Sequence, residues 1–293
     1  MKHHKATQDS AGLAWNAFTF KVTRREALER MSAGVLLALG LWPGALQARA
    51  KDGARPFRFI VVNDVHYLSP ECGEWLAGVV RQMKEAQPEF CLVAGDLTEY
   101  GKREHLAAVR DVFKGLGAPV YVEIGNHDYL TQNDRQAYEK LFRRRLNYTF
   151  GHRGWQFVGL DSTEGQFYEQ TEIQPPTLLW LDDNLRKLDK AKPTVIFTHF
   201  PLGPGTKYRP SNADDLLDRF RPFNLQAVFC GHFHGFTERR LGRTTLTTNK
   251  CCALKRGNHD NTKEKGFFVC TASEGQISRR FVECPMPART KSG

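Results

Sequence analysis

The chain has 293 residues, and 41% of them are hydrophobic, so it can bury a substantial core without relying on disulfides. Its formal net charge is +10, which falls to +6 when residues 1–50 are set aside, and the basic residues are spread along the chain. Because no long basic stripe is interleaved with aromatic residues, binding to nucleic acid is not expected.

The amino-terminal fifty residues have the pattern of a bacterial export signal. Arg24-Arg25 precedes an apolar stretch at 33–41, and Ala48-Arg49-Ala50 has the small-x-small form of a signal-peptidase site. The stretch is too short to span about 30 Å of membrane as a helix, so no stable membrane anchor is expected. We interpret residues 1–50 as a twin-arginine signal peptide, which would engage the twin-arginine translocation machinery and deliver residues 51–293 to the periplasm. The alternative is a fortuitous arginine pair before a core helix.

From residue 57 onward, apolar runs alternate with helical patterns, which is typical of an α/β domain. Short buried strands are predicted at 57–62, 90–94, 120–124, 195–198 and 227–230. Helices are predicted at 71–86, 102–116, 134–145 and 175–188. After Phe236 the pattern changes to short strands, which are predicted at 244–248, 267–271 and 277–282.

Each of the first five of these strands is followed at once by side chains that can bind metals. Because the carboxyl ends of strands in an open α/β sheet meet at one edge, these side chains are expected to converge. They are Asp64, His66, Asp96, Asn126, His127, His199, His232 and His234. Imidazole and carboxylate suit manganese, iron, zinc and nickel, whereas calcium favours an oxygen cage and structural zinc favours thiolates. The sequence therefore predicts a centre for two transition-metal ions, divalent or of mixed valence.

Asp96 is the candidate bridge between the two ions. A carboxylate can hold two cations about 3.5 to 4 Å apart, which clamps the attacking and leaving oxygens of an in-line displacement. A hydroxide bridging such ions is available near neutral pH as the nucleophile. The predicted centre therefore needs no serine or cysteine nucleophile.

The chain resembles the calcineurin-like metallophosphoesterases, whose signature consists of five blocks in a fixed order. The matching blocks are Asn63-Asp64-Val65-His66, Gly95-Asp96, Gly125-Asn126-His127-Asp128, Thr198-His199 and Gly231-His232-Phe233-His234. The resemblance implies a two-sheet β-sandwich flanked by helices, which is a four-layer α/β/β/α fold. It also implies hydrolysis of a phosphoric ester.

The resemblance further assigns roles to these residues. One metal would be held by Asp64, His66, Asp96 and His234. The other would be held by Asp96, Asn126, His199 and His232. Asn126 and His127 would contact the phosphate, and His127 would stabilise developing charge or protonate the leaving oxygen. Asp128 would orient His127.

Two differences from related groups narrow the choice of subgroup within the family. Purple acid phosphatases have a tyrosine three residues after the Gly-Asp aspartate, where this chain has Glu99, and they lack the histidine that is His66 here. A purple iron–tyrosinate site is therefore not expected. The cyclic-nucleotide phosphodiesterase-like group is the nearest in length and motif wording.

Two loops bear on the substrate. Lys207 and Arg209 lie in a Gly/Pro-rich loop after the fourth block and are candidate contacts for an anionic substrate. Gly257-Asn258-His259-Asp260 repeats the third block, but it does not follow a clean apolar strand. We interpret it as a polar loop, and the alternative is that His259 or Arg256 touches substrate.

Seven cysteines lie beyond residue 50, an odd number that cannot all pair. Cys91, Cys230 and Cys270 fall in apolar strand runs and are predicted to be buried. Adjacent Cys251 and Cys252 are interpreted as packing residues, with redox activity as the alternative.

The complete ligand set favours an enzyme that hydrolyses a small phosphorylated substrate, as a phosphodiesterase or a phosphatase. A catalytically silent scaffold of the same fold has no chemical need to keep His127 and every predicted ligand. A nuclease on the same machinery is disfavoured because no basic groove for nucleic acid is indicated.

Overall fold

The computed structural model of the chain describes residues 55–287. The predicted twin-arginine signal peptide, residues 1–50, lies outside the described residues. Within 55–287, no helix combines the length and the apolar character needed to cross a membrane.

Eleven strands in the described residues form two sheets. The first sheet has the order β11-β10-β1-β2-β3. Its strands are β1 (Phe57–Val62), β2 (Phe90–Ala94), β3 (Val120–Glu123), β10 (Lys265–Ser273) and β11 (Gln276–Cys284). Strands β1, β2 and β3 run parallel, whereas β10 pairs antiparallel with β1 and with β11.

The second sheet has the order β4-β5-β6-β7-β9-β8. Its strands are β4 (Asn147–His152), β5 (Trp155–Leu160), β6 (Thr194–Thr198), β7 (Leu225–Cys230), β8 (Thr237–Leu241) and β9 (Thr244–Thr248). The four inner strands are parallel, and the two edge strands are antiparallel to their neighbours. Both sheets are therefore mixed.

Both faces of β1 are covered, and its sequence is apolar at every position except the exposed Arg58. Phe57 and Phe59 point into the core between the sheets, whereas Ile60 and Val62 point into the core beneath the helices. Side chains alternate along a strand, so a strand with both faces covered has few positions for a polar residue. Aromatic rings fill the core between the sheets, where Phe59 stacks on Phe90 with ring centroids 5.1 Å apart.

Helices cover the outer face of each sheet. α1 (Pro70–Glu85), α2 (Arg103–Phe113) and α3 (Gln136–Leu141) pack on the first sheet. α4 (Pro175–Asn184) and α5 (Ala213–Arg219) pack on the second. In α1 the buried residues Cys72, Leu76, Val79, Val80 and Met83 recur at helical spacing and form one apolar stripe. The predicted α/β/β/α fold is confirmed.

Several predicted elements differ from those observed. The helix predicted at 134–145 is only Gln136–Leu141, and the helices predicted to reach Leu116 and Leu188 end in short 3-10 turns at Lys114–Leu116 and Leu185–Lys187. Strands β4, β5 and β8 and helix α5 were not predicted. The predicted burial of Cys91, Cys230 and Cys270 is confirmed, and all seven cysteines are unpaired thiols.

Candidate metal centre

The predicted ligands lie at one edge of the sandwich, because strands of both sheets end there. Asp64, Asp96 and Asn126 follow β1, β2 and β3 of the first sheet. His199 and His232 follow β6 and β7 of the second sheet. The site therefore lies between the sheets and receives side chains from both.

Crowding at this edge explains the glycines in the sequence blocks. A Cβ on Gly125 would lie 2.1 Å from Asp96 Oδ1, and one on Gly231 would lie 2.6 Å from Ala94 O. Gly95 has φ +81°, and a Cβ there would lie 2.3 Å from His199 Nδ1. These distances leave no room for a side chain, so each glycine lets a ligand-bearing turn approach its neighbour.

The backbone of the ligand turns is unusual. Left-handed φ angles of 45° to 63° occur at Asp64, His66, Asp96, His232 and His234. For a residue with a Cβ this conformation costs roughly 1–2 kcal/mol, and such residues cluster at functional sites. Cross-strand bonds hold the first turn in place, because Val65 N and His66 N donate to Asp96 O at 2.9 and 3.0 Å.

The first group of converging ligand atoms comprises Asp64, His66, Asp96 and His234, which lie within 4.8 Å of one another. Nε2 of His66 lies 3.1 Å from Nε2 of His234. Asp64 Oδ1 lies 3.3 Å from His234 Nε2, and Asp96 Oδ2 lies 3.4 Å from His66 Nε2. Four potential donors therefore point at a common space.

The second group contains Asp96, Asn126, His199 and His232. Nε2 of His199 lies 3.1 Å from both His232 Nδ1 and Asn126 Oδ1. It also lies 3.4 Å from Asp96 Oδ1, which is the carboxylate oxygen that does not face His66. Asp96 therefore directs one oxygen to each group.

The outer nitrogens of three histidines fix their tautomers. His199 Nδ1 contacts Ala94 O at 3.1 Å, His234 Nδ1 contacts Gly257 O at 3.1 Å, and His232 Nε2 contacts Tyr168 O at 2.7 Å. A carbonyl oxygen can only accept, so these outer nitrogens carry protons, and the inner nitrogens present lone pairs whenever the imidazoles are neutral. Two lone pairs cannot bond one another, so the 3.1 Å approach of His199 Nε2 to His232 Nδ1 requires either a proton or a metal ion between them.

The carboxylates supply negative charge to the same space. Burial alone would raise the pKa of Asp64, but the neighbouring His234 and His199 outweigh it and lower that pKa. Burial also opposes ionisation of Asp96, yet His199, His127 and His66 bring its pKa well below the ordinary value. Two ionised carboxylates are therefore buried together. Burial opposes protonation of the neighbouring imidazoles, but Asp96 raises the pKa of His199 to about 9 and Asp64 raises that of His234, so the carboxylates attract a compensating cation, either protons on these histidines or metal ions.

The donor set fits transition-metal ions. Burial lowers the pKa of His66, and burial with the neighbouring His199 lowers that of His232 to about 3, so both are neutral as metal ligands must be. Two ligands that each lie about 2.0–2.2 Å from a metal are themselves about 3 Å apart, which matches the separations above. No thiolate belongs to either group.

A comparison with protein families agrees with this site. Residues 57–236 match the calcineurin-like phosphoesterase family, a stretch that contains every predicted ligand. The chain belongs to the calcineurin-like phosphoesterase family. Its domain is therefore of a class that hydrolyses phosphoric esters.

Two curated relatives are phosphodiesterases by name. The chain is 26% identical over 161 residues to a probable glycerophosphodiester phosphodiesterase of Arcobacter nitrofigilis, which covers 50% of this chain and 57% of that protein. It is 28% identical over 125 residues to a probable cyclic nucleotide phosphodiesterase of Synechococcus sp., which covers 43% and 47% respectively. The chain thus aligns with about half the length of these relatives.

A solved structure shares the fold. The crystal structure of a dimetal phosphatase from Danio rerio superposes with a TM-score of 0.59 at 15% identity, covering 77% of this chain and 95% of that one. At this identity the match bears on the fold alone, and it agrees with the layers of this phosphoesterase domain.

His127 lies beside the first group of ligands in this phosphoesterase. Its backbone N donates to Asp96 Oδ1 at 2.9 Å, and its Nδ1 contacts Glu99 O at 3.0 Å. Since Glu99 O only accepts, Nδ1 carries a proton, and Nε2 can accept from Arg256 Nη2 at 3.5 Å. His66, Glu99 and His127 also have ligand atoms within 4.8 Å of one another, so Glu99 belongs to the site although sequence reasoning did not assign it there.

The contacts of Asp128 do not match the orienting role that was predicted for it. Its carboxylate accepts bonds from Leu97 N, Thr98 N and Gly125 N at 3.1, 2.9 and 3.0 Å, and no bond to the His127 ring is present. Burial, reinforced by Asp96, raises the pKa of Asp128 to about 7. Asp128 therefore ties the turn after β2 to the turn after β3, and Glu99 O holds the imidazole instead.

The two predicted substrate contacts in the Gly/Pro-rich loop differ from each other. Arg209 does not reach the ligands: its Nη2 pairs with Asp214 at 2.6 Å, and its Nε donates to Leu202 O at 2.9 Å. Lys207 is exposed and lies over the ring of Tyr208, which in turn lies 5.1 Å from the ring of His232. Only Lys207 remains beside the centre.

The second Gly-Asn-His-Asp segment packs against the candidate metal ligands. The ring of His259 stacks on that of His234, with centroids 4.8 Å apart and an interplanar angle of 20°. Gly257 supplies the carbonyl that holds His234, and Arg256 forms an ion pair with Glu99. The segment is a loop with polar side chains, as interpreted from the sequence, and it forms one wall of the site.

Proposed function

We propose that this phosphoesterase is a metal-dependent hydrolase of a small phosphorylated substrate that uses a dinuclear centre. The observation that carries the proposal is Asp96, which offers one oxygen to each of two groups of converging lone pairs. One metal would be held by Asp64, His66, Asp96 and His234. The other would be held by Asp96, Asn126, His199 and His232. Manganese, iron, zinc and nickel all suit these ligands.

When bound, two such ions supply Lewis acidity at phosphate oxygens and a nucleophile near neutral pH. His127 is placed to act beside them. Its Nδ1–H bond to Glu99 O fixes the ring, and its partly exposed side chain leaves Nε2 available to a substrate oxygen. As an imidazolium, with a second proton on Nε2, it can there stabilise developing charge or protonate the leaving oxygen. Asn126 would contact both metal and phosphate through its buried amide.

The names of the curated relatives support a phosphodiester or cyclic-nucleotide substrate class, and the family supports phosphoric esters in general. The test is a kinetic assay of the purified chain on bis-p-nitrophenyl phosphate and p-nitrophenyl phosphate. Manganese, zinc, iron and nickel are added singly, and His127→Ala is the control that keeps the ligands. Turnover that depends on metal and on His127 supports the proposal, whereas no turnover with any metal supports the silent scaffold.

We further propose that residues 1–50 direct export to the periplasm through the twin-arginine machinery. The arginine pair Arg24-Arg25 motivates this proposal. Replacing both with lysine should leave the chain in the cytoplasm of an expressing bacterium, whereas Arg30→Lys, which lies outside the pair, should not. Immunoblots of periplasmic and cytoplasmic fractions measure the outcome, and equal export of the double variant would contradict the proposal.

A further inference from the structure

We infer that Arg256 is a phosphate contact that selects phosphomonoesters, and that Glu99 positions it. The inference rests on the proposed hydrolase function and deepens it by naming a substrate class. It concerns the loop of residues 251–264, which precedes β10 and forms the wall of the site beside His127.

The loop is held rigidly at the position of Arg256. The buried ammonium of Lys265 donates to Arg256 O at 2.6 Å. Asn258 Oδ1 accepts from Cys251 N at 3.0 Å, and its amide Nδ2 donates to Glu264 O at 2.9 Å. A loop crossed by these bonds keeps its arginine in one place, as a binding residue requires.

Glu99 aims the guanidinium of Arg256. Nε of Arg256 donates to Glu99 Oε2 at 3.0 Å, and its Nη2 bonds to Glu99 Oε1. Glu99 also lies 3.2 Å from His66 Nδ1, so one carboxylate connects a predicted metal ligand to the arginine. The Glu99 side chain is only 11% exposed, which makes this a sheltered ion pair rather than a solvated surface pair.

The guanidinium keeps donors for a substrate. It has five N–H groups, and Glu99 uses two of them. Among the described residues, Nη1 of Arg256 has no hydrogen-bond partner, and the side chain is 37% exposed. Its Nη2 also contacts His127 Nε2 at 3.5 Å, so the arginine and His127 face the same space and the Nη1 donors remain for a substrate.

The position of Arg256 beside His127 favours a substrate phosphate group that carries two negative charges. A phosphomonoester carries a further charged terminal oxygen, where a diester carries an alkyl or aryl group. A guanidinium binds charged phosphate oxygens bidentately, but it gains little from an ester substituent. Arg256 should therefore increase turnover of monoesters much more than turnover of diesters.

The test compares kcat/KM on p-nitrophenyl phosphate and bis-p-nitrophenyl phosphate for wild type, Arg256→Gln and Arg256→Lys. Arg219→Gln is the matched control, because Arg219 forms an ion pair with Asp182 on the helices of the second sheet and its side chain is 27% exposed. We expect Arg256→Gln to lose about tenfold or more on the monoester and less than about threefold on the diester. Arg256→Lys keeps the charge and should recover part of the monoester rate.

Two further measurements separate substrate contact from loop structure. Inhibition by inorganic phosphate should weaken about tenfold in Arg256→Gln, while metal content and thermal unfolding remain those of wild type. Glu99→Gln should lower the monoester rate in the same direction by misplacing the guanidinium. The control Arg219→Gln should change neither the ester ratio nor phosphate inhibition.

Equal losses on both esters, or an unchanged monoester rate, would overturn the inference while leaving the proposed hydrolase intact. If Arg256→Gln fails to fold, Arg256→Lys decides, because an ester ratio equal to that of wild type together with unchanged phosphate inhibition would exclude a bidentate contact. Wild type that cleaves neither ester would instead refute the proposed function itself.

Discussion

Asp96 is the residue that both ligand groups share, since its two oxygens lie 3.4 Å from His66 Nε2 and His199 Nε2. Replacing it with asparagine removes the negative charge and converts one of its two carboxylate oxygens into an amide nitrogen. Both metals should therefore bind more weakly. We expect Asp96→Asn to retain less than half of the wild-type metal after desalting and to lose about 100-fold or more in kcat. Metal analysis by mass spectrometry and steady-state kinetics measure the two effects.

His127 should behave differently, because its imidazole is held by Glu99 O and is not needed by either group of ligands. His127→Ala should keep wild-type metal content and lose about 10²- to 10⁴-fold in kcat, the usual range for a general acid or base. If this variant and Asp96→Asn lose metal to the same extent, the division of roles between the two residues is wrong.

Some residues of the site could be predicted from the sequence, and others could not. The side chains in the five blocks could be predicted as ligands, because histidine and aspartate seldom recur at the ends of successive strands for another purpose. Their partners could not, since Gly257 and Tyr168 contribute backbone carbonyls, which leave no signature in the sequence. Asp128 and Arg209 were assigned by motif and charge. Thr98, which donates to Asp128, comes from a turn that only the fold brings near, whereas Asp214, the partner of Arg209, lies five residues further along the chain.

At the scale of elements, the turns after the strands must pack within van der Waals limits. A Cβ on Gly125 would lie 2.1 Å from Asp96 Oδ1 and 2.2 Å from Asp96 N, so the turn after β2 would have to move. Gly125→Ala should lower the free energy of unfolding by about 1–3 kcal/mol and reduce metal content. Thermal unfolding and metal analysis test this.

Gly78→Ala is the matched control, because Gly78 lies within α1 and its added Cβ would come only within 3.7 Å of the Arg81 side chain. Alanine in a helix interior should stabilise the chain by about 0.5–1 kcal/mol. Wild-type metal content and stability in Gly125→Ala would show that the turn after β2 can relax, and that crowding does not explain the glycine.

Elements with a long periodic pattern were predictable, and short ones were not. The 16 residues of α1 present a full apolar stripe, so its position was predicted within one residue at each end. The seven residues of α5 are too few to establish a helical period. The edge strand β8 (Thr237–Leu241) carries exposed charged side chains, so it lacked the apolar run by which the inner strands were found.

For the molecule as a whole, Glu123 matters because it is an ionisable residue buried between the two sheets. It ends β3, and a Cβ on Gly159 of β5 would lie 2.1 Å from its Oε1. Both carboxyl oxygens are buried without a hydrogen-bond partner among residues 55–287. Burial, and then the nearby Asp161, raise the pKa of Glu123 well above its usual value.

This raised pKa makes stability depend on pH. Below the unfolded pKa of about 4.5 the carboxyl is protonated in both states, and at higher pH the unfolded state gains by releasing the proton. Stability is therefore lost progressively as pH rises toward the folded pKa. Glu123→Gln removes this loss, so its melting temperature relative to wild type should increase from pH 5 to pH 8. Glu104→Gln, at an exposed position of α2, is the control, and a difference that stays constant with pH would contradict the explanation.

Metal removal tests how the centre joins the two sheets. The ligands follow strands of both sheets, and without a metal the buried Asp64 and Asp96 would be compensated only by protons on neighbouring histidines such as His199 and His234. A ligand present at 100 times its Kd stabilises the folded state by about 2.7 kcal/mol. Chelation should therefore lower the melting temperature, and added manganese should restore it in a concentration-dependent manner. His127→Ala should respond as wild type does, whereas Asp96→Asn should respond less, because it lacks the shared oxygen. An unchanged melting temperature on chelation would mean that the strand ends are held together without any metal.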